Sequence, residues 1–240
     1  AKNIVIDKNV INFSLREDDD EAFLSKFDDI IELFYQAAEE QVLEEKNIKI
    51  FKTTNKIFNE LIDTENTQGI IGVVKFKQRT LEKNLTDDNR FVLILDRIQD
   101  PGYMGTIIRT ADAVGAHGVI IPKRRSVHIT PVVAKASAGA VEYVPVCKVT
   151  NIVNTIKKLK DEGLWIAAAD MDGQTFYEQN LTGALGLVIG SEGFGISRLV
   201  KQNCDFTVKM PMIGNVSSLN ASVAGGILLY EIFRQRMKKD

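Results

Sequence analysis

The chain has 240 residues, 45% of them hydrophobic and 26% charged, and a formal net charge of −2. Those figures suit one large or two small globular domains with a real core. They exclude a protein that coats nucleic acid by bulk charge, while leaving room for a local basic patch. No apolar run reaches the roughly 18–20 residues a bilayer span requires, so no membrane partner is expected. The opening "AKNIVIDKNV" lacks the regions of a secretory signal. Cys147 and Cys204 stand far apart without CxxC spacing, and read as reduced, buried thiols of a cytoplasmic protein.

Chain order begins with an acidic run, "REDDDEAFLSKF", which reads as a helix start on a solvated face. "DDIIELFYQ", "NIKIFK" and "GIIGVVKF" are rich in Ile, Val and Phe and predict strands. "AAEEQVLEEK" and "TTNKIFNELIDTEN" between them have helical character; in the second, Ile57, Leu61 and Ile62 recur at about one turn. This is a small β-α-β-α-β domain over residues 1–78. The polar stretch 76–90 has no apolar period and predicts a linker, set at 79–90, before a second domain at 91–240.

From residue 91 the alternation is regular. "FVLILD", "GVIIP", "VEYVPV", "LWIAAAD", "GLVIG" and "FTVKMP" predict buried strands. "GTIIRTADAVGA" predicts a helix with Ile107, Ile108, Ala111 and Val114 on one face. "TPVVAKASAGA" predicts another, capped by Thr130 with Pro131 at its first position. "NIVNTIKKLKDEG", "GISRLVKQN" and the long "SLNASVAGGILLYEIFRQRMKK" complete the set. The fold class is α/β, a mostly parallel sheet with helices on both faces.

Ligands of such sheets bind at the carboxyl ends of strands. The rule selects "DRIQDPGYMG", "GSEGFG" and "PMIGNVSSLN". The first puts Asp-Pro-Gly before a helix that carries Arg109. The second is glycine-rich and displays Glu192 where a phosphate-cradling loop would offer a lysine or bare N–H groups. The third places Ser217, Ser218 and Asn220 at the mouth of an apolar helix. No dinucleotide fingerprint, Walker lysine or H-E-x-x-H is present. His117 and His128 lack ligand-spaced partners and read as surface or loop residues, so no metal is expected.

Together, "DPGYMGTIIRTADAVGAHGVI", "LVIGSEGFGIS" and "MPMIGNVSSLNASVAGGILLYE" resemble the three ordered motifs of the SpoU branch of the SPOUT methyltransferases, over roughly residues 91 to 238. "IKIFKTTNKIFNELIDTENTQGIIGVVK" resembles the end of that family's ribosomal-protein-like RNA-binding domain, whose opening strand and helix are not evident in residues 1–25. The resemblance implies an RNA ribose 2′-O-methyltransferase with a carboxyl-terminal trefoil knot, working as a homodimer. Its cofactor would be S-adenosylmethionine, a sulfonium cation without phosphate, and its partner RNA, with ribosomal RNA favoured by the front domain.

By the same resemblance Gly190, Met210 and Leu219 touch the cofactor, largely through backbone groups, around flexible glycines. Arg109 lies beside the target hydroxyl, as base or as stabiliser of the developing alkoxide. Glu192 orients Arg109 or the ribose. Ser218 and Asn220 hydrogen-bond across the site. One position departs from the family: its first motif usually reads Asp-Pro-x-Asn, and Tyr103 stands at the Asn. Either the target or cofactor is handled differently or the enzyme is impaired. Lys123, Arg124 and Arg125 are candidates for RNA phosphates. Two rivals stand beside this reading. One is a non-catalytic RNA-binding or assembly factor on the same fold; the other is a nucleotide-dependent oxidoreductase or ligase. A transfer-RNA target stays open as well.

Overall fold

The structure, a computed structural model, describes residues 4–5, 54–61, 71–72, 89–215 and 218–237. The acidic run, the strands expected in "DDIIELFYQ" and "NIKIFK", the helix expected in "AAEEQVLEEK", Ile62, Ser217 and most of the expected linker lie outside these residues.

The chain divides into two compact units, Ala1–Lys77 and Gln78–Asp240. In the first, β1 (Ile4–Val5) pairs antiparallel with β2 (Ile71–Gly72). An opening strand thus exists where the sequence shows none, because two residues are too few to display a period of two. α1 (Asn55–Leu61) buries Phe58 and leaves Ile57 and Leu61 exposed. The expected stripe followed aliphatic spacing; the face that is covered is the one carrying the ring.

The second unit runs β3 (Phe91–Asp96), α2 (Pro101–Ala113), β4 (Gly118–Pro122), α3 (Pro131–Ala136), β5 (Val146–Val149), α4 (Ile152–Asp161), β6 (Trp165–Thr175), β7 (Leu185–Gly190), α5 (Arg198–Asn203), β8 (Phe206–Lys209) and α6 (Ala221–Met237). Its six strands form one sheet in the order β5-β4-β3-β7-β6-β8, every pair parallel. β3 and β7 are central and covered on both faces, so all six residues of β3 are buried. Val92 and Ile94 face Ile152, Ile156 and Leu159 of α4 and Val200 of α5. Leu93 and Leu95 face the other way, where α2 buries Ile107, Ile108 and Ala111 and α6 buries Leu228, Leu229 and Ile232. Val114 is buried too, so the predicted apolar face of α2 is the observed one.

Two segments differ from the sequence expectation. "VEYVPV" alternates like a strand, but Gly139 takes the left-handed region (φ 84) and the chain coils into a 3-10 turn at Ala140–Glu142. β5 starts only at Val146, after Pro145, whose carbonyl accepts the Val119 N–H at 2.8 Å. His117 is not a plain loop residue: the Phe91 N–H donates to its Nδ1 at 3.1 Å, fixing the start of β3. Cys147 and Cys204 are free; burial pushes the first thiol up to about 11 and, with Asp205 beside it, the second to about 12. No helix among the described residues is long and apolar enough to cross a membrane.

From β3 the chain moves outward through β4 and β5, then crosses to β6 on the far side of β7. The order therefore reverses between β3 and β7, where Asp96 pairs with Gly190. A crevice at the carboxyl ends of these strands is what such a reversal creates.

Candidate functional site

Four segments converge on that crevice. The first leaves β3. Asp96 is 3% exposed, and its Oδ2 accepts the Ser197 N–H at 2.6 Å while Oδ1 faces Arg97 Nε at 3.6 Å. Arg97 sits at φ 63, uncommon for a side chain this large. Asp100 then caps α2, its Oδ1 accepting the Tyr103 N–H at 2.8 Å, with Pro101 in the first helical position.

The second segment leaves β7. Its Gly195 N–H donates to the Ser191 carbonyl at 2.8 Å, and Gly195 takes φ 61. The turn folds so tightly that a Cβ on Gly190 would stand 2.1 Å from the Gly195 carbonyl carbon. Position 190 has no room for a side chain because its own loop occupies the space. Asp96 pins the far end of the loop through Ser197, so a buried carboxylate holds the glycine-rich turn closed.

The third segment was not anticipated. β6 slips register against β8 between Ala169 and Gln174, and residues 170–173 bulge from the ladder. Lys201 Nζ closes the bulge on Asp170 at 2.8 Å and on Asp172 at 2.7 Å. Burial works against the Lys201 ammonium, but these carboxylates outweigh it and raise its pKa. The signal was in "ADMDG", acidic residues and a glycine interrupting an apolar run.

The fourth segment enters α6. Asn220 is its cap: Oδ1 accepts the Ser222 N–H at 2.8 Å, the Ser222 hydroxyl at 2.6 Å and the Val223 N–H at 3.3 Å. The helix accordingly starts at Ala221, three residues later than its apolar sequence suggested.

The second, third and fourth segments, with the end of β8, line a cavity of about 200 Å³. Gly190, Met210, Leu219, Ser218 and Glu192 line it, together with Asp170 and Ser191. Among the described residues no lysine, arginine or histidine does. Two carboxylates, apolar walls and no cation suit a ligand with a positive centre on an apolar body, not a phosphate. The Ser191 Oγ is buried with no hydrogen-bond partner, as expected of a group reserved for a ligand. The S-adenosylmethionine implied by the sequence motifs fits this lining.

Across the Ser191–Glu192 wall lies a second cavity of about 190 Å³, lined in part by Ile98, Asp100, Tyr103, Glu192 and Phe194. The Glu192 charge, some burial and Asp100 all raise the Tyr103 pKa, so its hydroxyl stays protonated and can donate. Among the described residues no ion pair joins Glu192 to Arg109. Arg109 is exposed on α2 and lines neither cavity. Lys123, Arg124 and Arg125 are exposed beyond β4, outside both cavities. Their loop is tied to the first segment, since the Ser126 hydroxyl and Val127 N–H both donate to the Ile98 carbonyl at 2.8 Å.

Known proteins share this arrangement. The sequence profile of the SpoU rRNA Methylase family matches residues 90–230. A Bacillus subtilis (strain 168) protein, YacO, assigned to the TrmH family of tRNA/rRNA methyltransferases, is 53% identical over 157 residues, covering 65% of this chain and 61% of that one. A Staphylococcus saprophyticus protein with the same assignment is 57% identical over 146 residues, covering 60% and 59%. The chain thus spans about three fifths of the length of these curated relatives. Among solved structures, the SpoU methyltransferase AviRb from Streptomyces viridochromogenes, in complex with the cofactor AdoMet, superposes with a TM-score of 0.72 at 27% identity, over 80% of this chain and 75% of that one. The A. aeolicus TrmH/SpoU tRNA modifying enzyme superposes with a TM-score of 0.58 at 30% identity, over 66% and 85%. With the profile running through more than half of its residues and the parallel sheet, switch point and motif loops in place, the chain belongs to the SpoU rRNA methylase family.

Proposed function

We propose that the chain transfers a methyl group from S-adenosylmethionine to a ribose 2′-hydroxyl of RNA. The observation that carries this is the cavity beside the β7 end of the switch point, where the loops after β7 and β8 and the β6 bulge present two carboxylates, a serine hydroxyl without a hydrogen-bond partner and, among the described residues, no cation. The AdoMet complex of AviRb supports the cofactor. When bound, S-adenosylmethionine supplies a methyl group on a positively charged sulfur.

The backbone around Gly190, Met210 and Leu219 holds the cofactor body, and Glu192 and Asp170 favour its charge. Ser218 and Asn220 position the ribose side of the site. The attacking hydroxyl must lose its proton as it acts, and a cation beside it stabilises the alkoxide that develops. Arg109, exposed and without an ion pair among the described residues, fills that role on the same helix as Tyr103. Lys123, Arg124 and Arg125, exposed as well, meet RNA phosphates on a loop tethered beside the site.

Several further readings belong with this one. Residues 1–78 form an RNA-binding domain, joined by a 79–90 linker to the catalytic domain at 91–240, and favour ribosomal over transfer RNA. A trefoil knot at the carboxyl end belongs to the same reading, from the family motifs. Val223, Ile227, Tyr230 and Met237 leave an apolar stripe exposed on α6, which supports a homodimer. Two protonated free thiols support a cytoplasmic setting.

Purified protein, labelled S-adenosylmethionine and total RNA test the reading, followed by mapping of 2′-O-methyl positions. Arg109→Ala is expected to keep cofactor affinity and to cut transfer at least about a hundredfold. Near wild-type turnover would leave Arg109 without a catalytic role. A wild type that neither binds the cofactor nor labels RNA would end the proposal, and labelled transfer RNA alone would end the ribosomal preference.

A further inference from the structure

The smaller cavity has chemistry of its own. Phe194 holds its ring 81% exposed at the rim. That ring is not on a loose tip: the Ser191–Gly195 bond closes the turn on one side and the Asp96–Ser197 bond on the other. Tyr103 and Ile98 give the cavity further apolar surface. Gln99, Asp100 and Glu192 supply its polar edge, with a donor and acceptors but no positive charge. An anionic group is disfavoured there. A flat, uncharged heterocycle with hydrogen-bonding edges is favoured, because aromatic rings stack on it and the amide and carboxylates read its rim.

Position narrows the occupant. Ser191, Glu192 and Ala221 line both cavities, so a single wall separates this one from the cofactor cavity. A group in the smaller cavity and a methyl donor in the larger one lie on opposite sides of Glu192. The nucleotide whose ribose sits at that wall has its base on one side and its hydroxyl toward the other.

We propose that the cavity between Tyr103 and Phe194 takes the unstacked base of the target nucleotide, so that the site reads an extruded nucleotide and not a paired one. This rests on the methyl-transfer reading above. Enzymes that must reach an atom inside a structured nucleic acid commonly extrude the nucleotide, and stacking on protein rings compensates for the stacking lost.

The experiment compares wild type, Phe194→Ala and Phe194→Trp on an unmodified transcript of the RNA that wild type labels. Steady-state methylation gives KM and kcat, and calorimetry gives S-adenosylmethionine affinity. Phe194→Ala should raise KM for RNA about tenfold, within the range of one base–ring stack, with cofactor affinity within about twofold of wild type. Phe194→Trp should restore KM to within about threefold. An unchanged KM in Phe194→Ala overturns the base site while leaving methyl transfer intact. Lost cofactor affinity in Phe194→Ala overturns it as well, assigning the ring to the cofactor. A tryptophan variant as impaired as the alanine one shows a purely local loop role and has the same result. A wild type that labels no RNA removes the underlying reading itself.

Discussion

The two flanks of the sheet are built by different means. On the β3-β4-β5 side, order comes from buried aliphatic side chains: Ile120 and Ile121 are fully buried, and α4 lays Ile152, Ile156 and Leu159 against the sheet. On the β7-β6-β8 side, buried aliphatic side chains such as Ile166, Leu187 and Val188 are joined by close backbone approaches and polar staples at the strand ends. A Cβ on Gly173 would lie 2.5 Å from the Thr207 carbonyl carbon, and one on Gly190 would lie 2.1 Å from that of Gly195. Asp205 accepts the Ile166 N–H at 2.8 Å and pairs with Lys160 at 2.6 Å. Side-chain cores adjust to small changes of volume, whereas backbone contacts admit none. The cavity proposed for the cofactor lies on the flank with these backbone contacts.

The largest expected effect breaks that second flank. Gly190→Val forces side-chain atoms into the backbone of Gly195 and Ile196, and no rotamer relieves a clash that begins at Cβ. Overpacking of this kind costs about 1–3 kcal/mol or more. Calorimetry should detect no S-adenosylmethionine binding, and thermal melting should show a lowered midpoint. Wild-type affinity in this variant would mean that the turn opens easily, and the contrast between flanks would fail.

Much of the first flank was legible in the sequence. Apolar runs, the Thr130 cap with Pro131, and the Ile107–Ile108–Ala111–Val114 face all follow from period and capping rules. The second flank was legible only as motifs. Gly190, Met210, Leu219 and Ser218 do line one cavity, but the contact that leaves no room for a Cβ at Gly190 joins parts of one loop, which no spacing rule reports. Asp96 looked like the end of a strand; its bond to Ser197 spans 101 positions. Asp170 and Ser191 reach the cavity through a bulge and a turn, and bulges depend on the neighbouring strand as much as on local sequence.

A mid-sized effect sharpens the comparison. Asp96→Ala leaves the Ser197 N–H without its buried acceptor, at a cost of about 2 kcal/mol. The loop should loosen and cofactor affinity fall about tenfold. Ile121→Val on the first flank should also lose about 1 kcal/mol, but with cofactor affinity unchanged. Denaturant midpoints and calorimetry on the pair decide. Equal losses of affinity would show that general stability, not the staple, shapes the cavity.

Tyr103 comes next in size. The sequence left open whether the residue impairs the site or re-tunes it. Glu192 and Asn220 both lie near enough to its hydroxyl to act on its pKa, so the surroundings accommodate the ring. Tyr103→Asn should therefore raise KM for RNA about fivefold to tenfold, the lower part of the range for one stacked base. Cofactor affinity should be unchanged. Tyr103→Phe, which keeps the ring, should lie between the two proteins. A faster Tyr103→Asn enzyme would mark the tyrosine as an impairment.

The smallest effect concerns the bulge that carries Asp170 to the cavity. The Lys201 hydrogen bond holds the Asp172 carboxyl below its ordinary value of 3.8. A carboxyl depressed by folding adds stability above its unfolded pKa and loses it as pH falls through the folded value. The Lys201 clasp should thus be complete at neutral pH and fail only in acid, below the ordinary carboxylate range. The Asp172 side chain is 69% exposed, so solvent screens the pair and the change should be modest. Carboxyl-carbon NMR should place the Asp172 midpoint below the ordinary value in wild type and back at it in Lys201→Met. Cofactor affinity should fall slightly at neutral pH in Lys201→Met, and wild type should approach that weakened value only as acid breaks the clasp. An unshifted Asp172 midpoint in wild type, or a Lys201→Met protein indistinguishable from wild type at neutral pH, would show that the bulge holds its shape through the β6–β8 ladder alone.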